Sequence, residues 1–170
     1  IVIPCNTAHA FLPFLERHIK VPFINMQQTT MEEIHRKLGE KAVIGLLATT
    51  GTVKTGLYSD KATALGMPLF TPDEVHQNLV MSAIYGPLGV KAGFTDGQCK
   101  DDLLRAARYL VETCGCNCLI LGCTELPLIL DESDAFEIAG KSVVITDPTA
   151  ALARKVVDVG MATNRQRGLR

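Results

Sequence analysis

Residues 119–125, LILGCTE, are a short apolar run followed by a glycine, a cysteine and two polar residues. Residues 1–7, IVIPCNT, share this layout, with proline where the first stretch has glycine. Each stretch passes from an apolar, strand-like segment through a turn residue to a cysteine, and then into a predicted helix. Ligands bind beyond the carboxyl ends of the strands in an open α/β sheet. The repeat therefore predicts that Cys5 and Cys123 lie at the functional edge of a sheet.

The rest of the chain alternates between strand-like and helix-like patterns. Strands are predicted at 1–3, 21–24, 42–47, 67–70, 117–121 and 143–145. Helices are predicted at 8–19, 30–38, 53–65, 73–85, 97–114, 124–130 and 149–159. This alternation is typical of an α/β fold with a mostly parallel sheet.

Composition excludes several classes of protein. Hydrophobic residues make up 47% of the 170 residues and charged residues 21%, which favours a packed core over disorder. The net charge is -1 and no basic stripe is present, so a nucleic-acid partner is not expected. No apolar run approaches the ~20 residues that span a bilayer, so a membrane protein is not expected either.

The six cysteines favour reduced thiols in a cytoplasmic enzyme over a secreted disulfide framework, because several lie inside apolar, strand-like runs. Three of them, Cys114, Cys116 and Cys118, are closely spaced and invite a metal site. A structural zinc site needs a second pair of ligands, and the sequence offers none, so no metal is predicted. Cys116 and Cys118 are instead expected to pack on one face of a strand.

A cysteine between a strand and a helix has a chemical consequence. The free N–H groups and the positive dipole end of a helix N-terminus favour a thiolate, so the pKa of such a thiol is expected to fall from about 8.5 toward neutrality. A partly ionised sulfur can accept and return a proton, and two of them on opposite faces of one carbon could invert it. A lone buried cysteine is usually a small core residue, but two matching stretches favour catalysis. Both Cys5 and Cys123 are then expected to react with iodoacetamide at neutral pH.

The two cysteine stretches resemble those of the aspartate/glutamate racemase family. Residues 4–9, PCNTAH, resemble the first catalytic motif of that family, and residues 121–126, LGCTEL, resemble the second. Three further segments resemble family elements: a threonine-rich loop at 47–58, Tyr85 with the KAG of 91–93, and TDPT at 146–149. Together these matches cover nearly the whole chain.

The resemblance implies an α/β fold of two pseudo-symmetric, flavodoxin-like lobes with mostly parallel sheets and the active site between them. The first lobe would be truncated at its N-terminus, because the chain opens inside a strand-like run and nothing matches the family's Gly-rich first loop or its substrate-binding Arg. Its remnant would be residues 1–26 and 141–162, the second lobe 27–140 and a polar tail 163–170. A chain that lacks part of that lobe is expected to be inactive or poorly folded.

The resemblance also implies racemisation of an amino acid by a homodimer, with no pyridoxal phosphate or metal cofactor. Cys5 and Cys123 would be the catalytic residues that transfer protons at Cα. Substrate-binding residues would be Asn6, Thr7, Thr50, Thr52, Lys91, Thr124 and Glu125. Asn6, Thr7 and Thr124 would hold the α-carboxylate. Lys91 would stabilise the carboxylates or the developing carbanion.

Position 125 bears on the substrate. The glutamate racemase branch usually has His there, so Glu125 favours aspartate, with glutamate and broad specificity left open. His9 is interpreted as a helix-face residue rather than a proton donor. Hydantoin racemisation, maleate isomerisation and malonate decarboxylation are alternatives on the same fold, although the decarboxylases keep only one of the two cysteines. An inactive fragment or a non-catalytic binding protein of this fold also stays open.

Overall fold

The computed structural model describes residues 1–166, and the side chains of residues 1–162. Its strands are β1 (Ile44–Leu47), β2 (Leu69–Phe70), β3 (Cys118–Leu121), β4 (Ser133–Ile138) and β5 (Lys141–Thr146). Its α-helices are α1 (Leu12–His18), α2 (Met26–Leu38), α3 (Thr50–Lys54), α4 (Leu57–Ala64), α5 (Glu74–Tyr85), α6 (Gln98–Thr113) and α7 (Pro148–Gln166). Short 3-10 helices cover Thr7–Phe11, Gly39–Lys41, Val90–Ala92 and Leu126–Leu128.

The strands form one sheet in the order β2-β1-β3-β5-β4. Strands β2, β1, β3 and β5 are parallel, and β4 runs antiparallel to β5. This arrangement confirms the predicted α/β fold with a mostly parallel sheet. Leu47 pairs with Leu121, so β1 and β3 end side by side. The loops that follow these two strands therefore start at the same edge of the sheet.

The central strand β3 is buried on both faces, which explains its unbroken apolar sequence. Leu119 and Leu121 pack into a core cluster with α5 and α6, whereas Ile120 packs into a second cluster with α2 and α4. Cys118 lies in the second cluster and Cys116 in the first, so the prediction that they share a face was wrong. Cys116 precedes the strand, and the alternation of side chains does not reach it.

The hairpin of β4 and β5 was missed by the sequence analysis. Ala139 and Gly140 connect the strands with φ of 54° and 71°, and this pair of positive φ values suits a two-residue hairpin turn. Most of β4 is exposed or half-buried at the edge of the sheet, so it lacks the apolar pattern that identified the inner strands.

Other predicted elements changed in extent. The helix predicted at 53–65 is divided by Gly56, whose left-handed φ of 68° ends α3 before α4 begins. The strands predicted at 1–3 and 21–24 are reduced to a single parallel bridge between Val2 and Ile24. No helix in the described part of the chain is long and apolar enough to cross a membrane.

The C-terminal part of the predicted first lobe lies in and beside the main sheet. Residues 141–162 were predicted to belong with 1–26, yet β5 pairs with β3 inside the main sheet. α7 packs against α2, and Arg154 of α7 forms ion pairs with Glu33 of α2 and with Glu132. The pairing of β5 and the packing of α7 on α2 thus join 141–162 to the elements of 27–140. The predicted tail, 163–170, lies outside the described side chains, although α7 continues to Gln166.

Candidate active site

Cys123 lies just beyond the carboxyl end of β3, beside the end of β1. The Gly122 N–H donates to the Leu47 carbonyl at 2.7 Å. A Cβ at Gly122 would come within 2.8 Å of the Ala48 Cβ, which is closer than real contacts allow. Only glycine therefore permits this approach, which holds Cys123 against the loop that follows β1.

The helix predicted at 124–130 was wrong, and this changes the chemistry of Cys123. After the cysteine the chain makes a turn and one short 3-10 helix, Leu126–Leu128. The Cys123 thiol is buried and donates to Oε2 of Glu125 at 2.9 Å. Burial, together with the hydrogen bond to this carboxylate, raises the pKa of Cys123 to about 12. The expectation of a lowered pKa is therefore wrong for this thiol, because a carboxylate takes the place of a helix terminus.

Glu125 is the centre of a polar cluster around Cys123. It accepts from the Thr124 hydroxyl at 3.0 Å and forms an ion pair with Lys91. Burial raises the pKa of Glu125, but the hydrogen bonds from Cys123, Lys91 and Thr124 outweigh it and lower the pKa to about 2. The bond to Glu125 also raises the pKa of Lys91, whose Nζ lies 5.5 Å from the centre of the Tyr85 ring. The cluster therefore contains an ionised carboxylate and an ammonium next to a neutral thiol.

Cys5, unlike Cys123, is exposed. Its carbonyl oxygen lies 2.8 Å from Nδ1 of His9, and Nε2 of His9 accepts from the Met26 N–H at 3.0 Å. His9 is buried, which lowers its pKa despite the hydrogen bond to the Cys5 carbonyl. His9 thus holds the backbone of the Cys5 segment and is not exposed to a substrate, in agreement with its interpretation as a helix-face residue.

Asn6 is 3% exposed and sits in a buried polar cluster. Its Oδ1 accepts from the Tyr58 hydroxyl at 2.6 Å, and its carbonyl accepts from Nε2 of Gln27 at 2.9 Å. Nδ2 of Asn6 has no hydrogen-bond partner among the described residues. The side chain does not cap the following 3-10 helix, so simple N-capping does not account for this residue.

The threonine-rich segment after β1, which leads into α3, contacts residues near both cysteines. The Thr52 hydroxyl lies 2.7 Å from that of Thr7 and 3.1 Å from that of Thr49. Since Thr7 follows the Cys5 segment and Ala48 touches the turn before Cys123, the loop contacts both. Thr50 points elsewhere: its hydroxyl accepts from Nε2 of Gln77 at 3.4 Å on α5.

The predicted site residues thus form two groups around one loop. Lys91, Thr124 and Glu125 gather around Cys123. Asn6 and Thr7 follow Cys5, and the Thr7 hydroxyl lies beside that of Thr52, whereas Thr50 turns toward α5. Three polar residues of this region were given no role by the sequence analysis: Gln27, Tyr58 and Gln77. No pattern marks them, because a single polar residue on a helix is usually solvated and their partners are 21 or more residues away.

A cavity of about 610 Å³ lies between α2 and α7, away from both cysteines. Its lining is charged, and Arg154 and Lys155 pair there with Glu33 and Glu32. None of the predicted site residues lines it. Among the residues described, no group of three or more His, Cys, Asp or Glu could hold a metal ion.

Iodoacetamide is expected to distinguish the two thiols. At pH 7.5 the exposed Cys5 should be labelled much faster than the buried Cys123, because alkylation requires a thiolate and the pKa of Cys123 is raised to about 12. Labelling of Cys123 should rise about tenfold per pH unit between pH 7 and 10, as its thiolate fraction does. Peptide mass spectrometry of timed samples measures both rates. Equal labelling rates of the two thiols at pH 7.5 would contradict the raised pKa of Cys123.

The sequence pattern of the family described as Asp/Glu/Hydantoin racemase matches residues 1–156. A glutamate racemase from Desulforudis audaxviator is 32% identical over 155 residues, which cover 91% of this chain and 53% of that protein. The chain thus spans about half the length of that relative. The Picrophilus torridus aspartate racemase superposes with a TM-score of 0.63 at 26% identity, over 94% of this chain and 61% of that one. An aspartate racemase homologue from Pyrococcus horikoshii shares the fold, with a TM-score of 0.73 at 24% identity over 94% of this chain and 65% of the other. The chain therefore belongs to the Asp/Glu/Hydantoin racemase family.

Proposed function

We propose that the protein containing this chain racemises an amino acid without a cofactor, by proton transfer at Cα between Cys5 and Cys123. One observation carries the proposal: residues near both cysteines lie against the same threonine-rich segment, Thr7 at Thr52 and Gly122 at Ala48. Inversion needs a proton acceptor on one face of the carbon and a donor on the other. The thiolate form of Cys5 accepts the proton, and the protonated thiol of Cys123 donates one.

Cys123 is the proton donor of the resting site. Its raised pKa keeps the proton on sulfur, and the bond to Glu125 fixes where that proton points. Cys5, which is exposed, then acts as the base on the enantiomer whose α-hydrogen faces it. For the opposite enantiomer the roles exchange: Cys5 enters with the proton that it removed in the forward turnover, and Cys123 enters as the thiolate that has given its proton to Cα.

Hydrogen-bond donors for the substrate carboxylates lie near Cys5 and near Cys123. Asn6 contributes its backbone N–H near Cys5, because its side chain lies in the buried cluster with Tyr58. Hydroxyls of Thr7, Thr52 and Thr124 lie around the same loop and turn. Lys91 adds a positive charge next to Cys123, where it stabilises negative charge that develops at Cα.

Aspartate is the substrate that we propose, with glutamate and broad specificity as the alternatives. Glu125 and Lys91 occupy the Cys123 side with a fixed ion pair, which favours the shorter of the two acidic side chains. The names of the relatives include both aspartate and glutamate racemases, so they support the reaction rather than the choice. We further propose that the active form is a two-lobed homodimer in the cytoplasm.

The assay for this proposal measures kcat/KM for L-aspartate and L-glutamate in the complete protein. The complete protein is the full polypeptide that contains residues 1–170. We expect D-aspartate to form without added cofactor, and at a higher kcat/KM than D-glutamate. Faster turnover of glutamate or of a neutral amino acid would move the substrate to one of the alternatives. No racemisation of any L-amino acid would contradict the proposed function.

A further inference from the structure

Two consecutive carbonyl groups of the Cys5 segment are tied to the first turn of α2. The Cys5 carbonyl bonds to His9, which in turn accepts from the Met26 N–H, while the Asn6 carbonyl accepts from Gln27. His9 is 2% exposed, Gln27 0% and Asn6 3%. These contacts join residues 17 to 21 positions apart into one buried polar cluster.

The hydrogen bonds fix the proton on the imidazole. Nε2 of His9 accepts from a backbone N–H, and an atom that accepts this bond carries no hydrogen. Nδ1 must then carry it and donate to the Cys5 carbonyl at 2.8 Å. The neutral Nδ1–H tautomer is the form in which both bonds exist together.

The two bonds also determine the direction of the neighbouring N–H groups. The described chain contains no cis peptide bond. In a trans peptide the N–H points away from the C=O of the same unit. Because the carbonyls of Cys5 and Asn6 point into the buried cluster, the N–H groups of Asn6 and Thr7 point to the opposite side, away from α2. Two adjacent N–H groups with this direction suit an anion.

The cluster is more costly than apolar packing would be. Oε1 of Gln27 and Nδ2 of Asn6 are buried with no partner among the described residues. Each such atom costs about 1–3 kcal/mol, whereas a pair of apolar side chains of similar shape would cost little. A polar arrangement that destabilises the fold calls for a role other than packing.

We infer that His9 and Gln27 are positioning residues for Cys5: they clamp the Cys5–Asn6 backbone so that the N–H groups of Asn6 and Thr7 face the substrate carboxylate. The identity of that carboxylate rests on the proposed function. Neither residue touches the substrate, and both act through the backbone that they hold.

Two substitutions of His9 separate this role from core packing. The amide nitrogen of Asn occupies the place of Nδ1, so His9→Asn keeps a donor for the Cys5 carbonyl and loses the acceptor for Met26. The amide of Gln reaches the place of Nε2, so His9→Gln keeps the Met26 bond and loses the Cys5 bond. His18→Asn, on the exposed end of α1, is the matched control. Gln27→Met is compared with Gln28→Met, since Gln28 bonds through its side-chain amide to Glu32 at an exposed position.

The measurement is the L-aspartate concentration that halves iodoacetamide labelling of Cys5 in the complete protein. We expect His9→Gln and Gln27→Met to raise it about tenfold or more, the factor that 1.4 kcal/mol represents, and His9→Asn to change it less than about threefold. Melting temperatures should not follow this order. Equal effects of His9→Asn and His9→Gln, or effects that track the melting temperature, would overturn the inference.

Failure of the proposed function is recognised separately. If L-aspartate does not protect Cys5 in the unsubstituted protein, the binding proposal fails. The positioning role of His9 and Gln27 is then tested without a ligand. ¹⁵N spectra of the ring at pH 7 should then show hydrogen on Nδ1 of His9 alone, and labelling of Cys5 should be faster in His9→Gln than in His9→Asn. Hydrogen on Nε2, or equal rates in the two variants, would overturn the clamp.

Discussion

Replacing Cys5 or Cys123 by alanine is expected to lower racemisation by about 10²–10⁴-fold in either case, the loss that follows removal of a general acid or base. Each variant lacks the group on one face of Cα, so neither direction of the reaction can be completed. Polarimetry with L-aspartate and with D-aspartate measures both directions in the complete protein.

Cys114→Ala is the matched control, because this half-buried thiol packs beside the α6 core and touches neither group of site residues. It should retain near-normal rates. Near-normal rates in Cys5→Ala or in Cys123→Ala would instead show that one thiol suffices, and the two-cysteine proposal would fail. Serine at either position should behave like alanine, since its hydroxyl does not ionise near pH 7.

Glu125→Gln is expected to move two rates in opposite directions. Racemisation should fall by about 10²-fold, because the amide no longer holds the Cys123 thiol as the carboxylate does and leaves Lys91 without its partner. Iodoacetamide labelling of Cys123 should rise, because the negative charge that raises the pKa of this thiol is gone while Lys91 still lowers it. Both rates are measured on the same preparation.

Glu32→Gln serves as the control, since Glu32 is exposed on α2 and pairs only with surface groups among the described contacts. It should leave both rates unchanged. Unchanged racemisation in Glu125→Gln would mean that Glu125 only pairs with Lys91 and does not contribute to the reaction. Slower labelling of Cys123 in that variant would contradict the electrostatic account of the thiol.

The buried strands of this fold follow directly from the sequence. Ile44–Leu47 and Cys118–Leu121 are unbroken apolar runs because both faces of each strand are covered, and such runs need no tertiary information to be recognised. The edge strand Ser133–Ile138 escaped prediction because its exposed side chains carry no burial pattern. The predicted helix at 124–130 failed because a 3-10 turn with Pro127 in its first positions suits the same apolar residues.

The sequence supplied the candidate residues of the site but not their contacts. The repeated strand-cysteine layout located Cys5 and Cys123, and the structure brings their segments to one loop. The partner of Cys123 is a carboxylate two residues away, whose own partner, Lys91, is 34 residues away in the chain. The pKa of Cys123 depends on this arrangement, and a local pattern cannot supply it. His9 and Gln27 act through buried backbone bonds, which leave no trace in residue spacing.

The most direct test of the two-cysteine proposal is the early distribution of deuterium during racemisation of L-aspartate in D₂O by the complete protein. If different sulfurs remove and deliver the proton, the D-aspartate formed first should carry deuterium at Cα, and the remaining L-aspartate should carry almost none. The labelled fraction of each enantiomer, read by mass spectrometry after chiral separation, gives the answer. Deuterium that enters L-aspartate as fast as D-aspartate forms would mean that one group both removes and returns the proton, and would contradict the proposal.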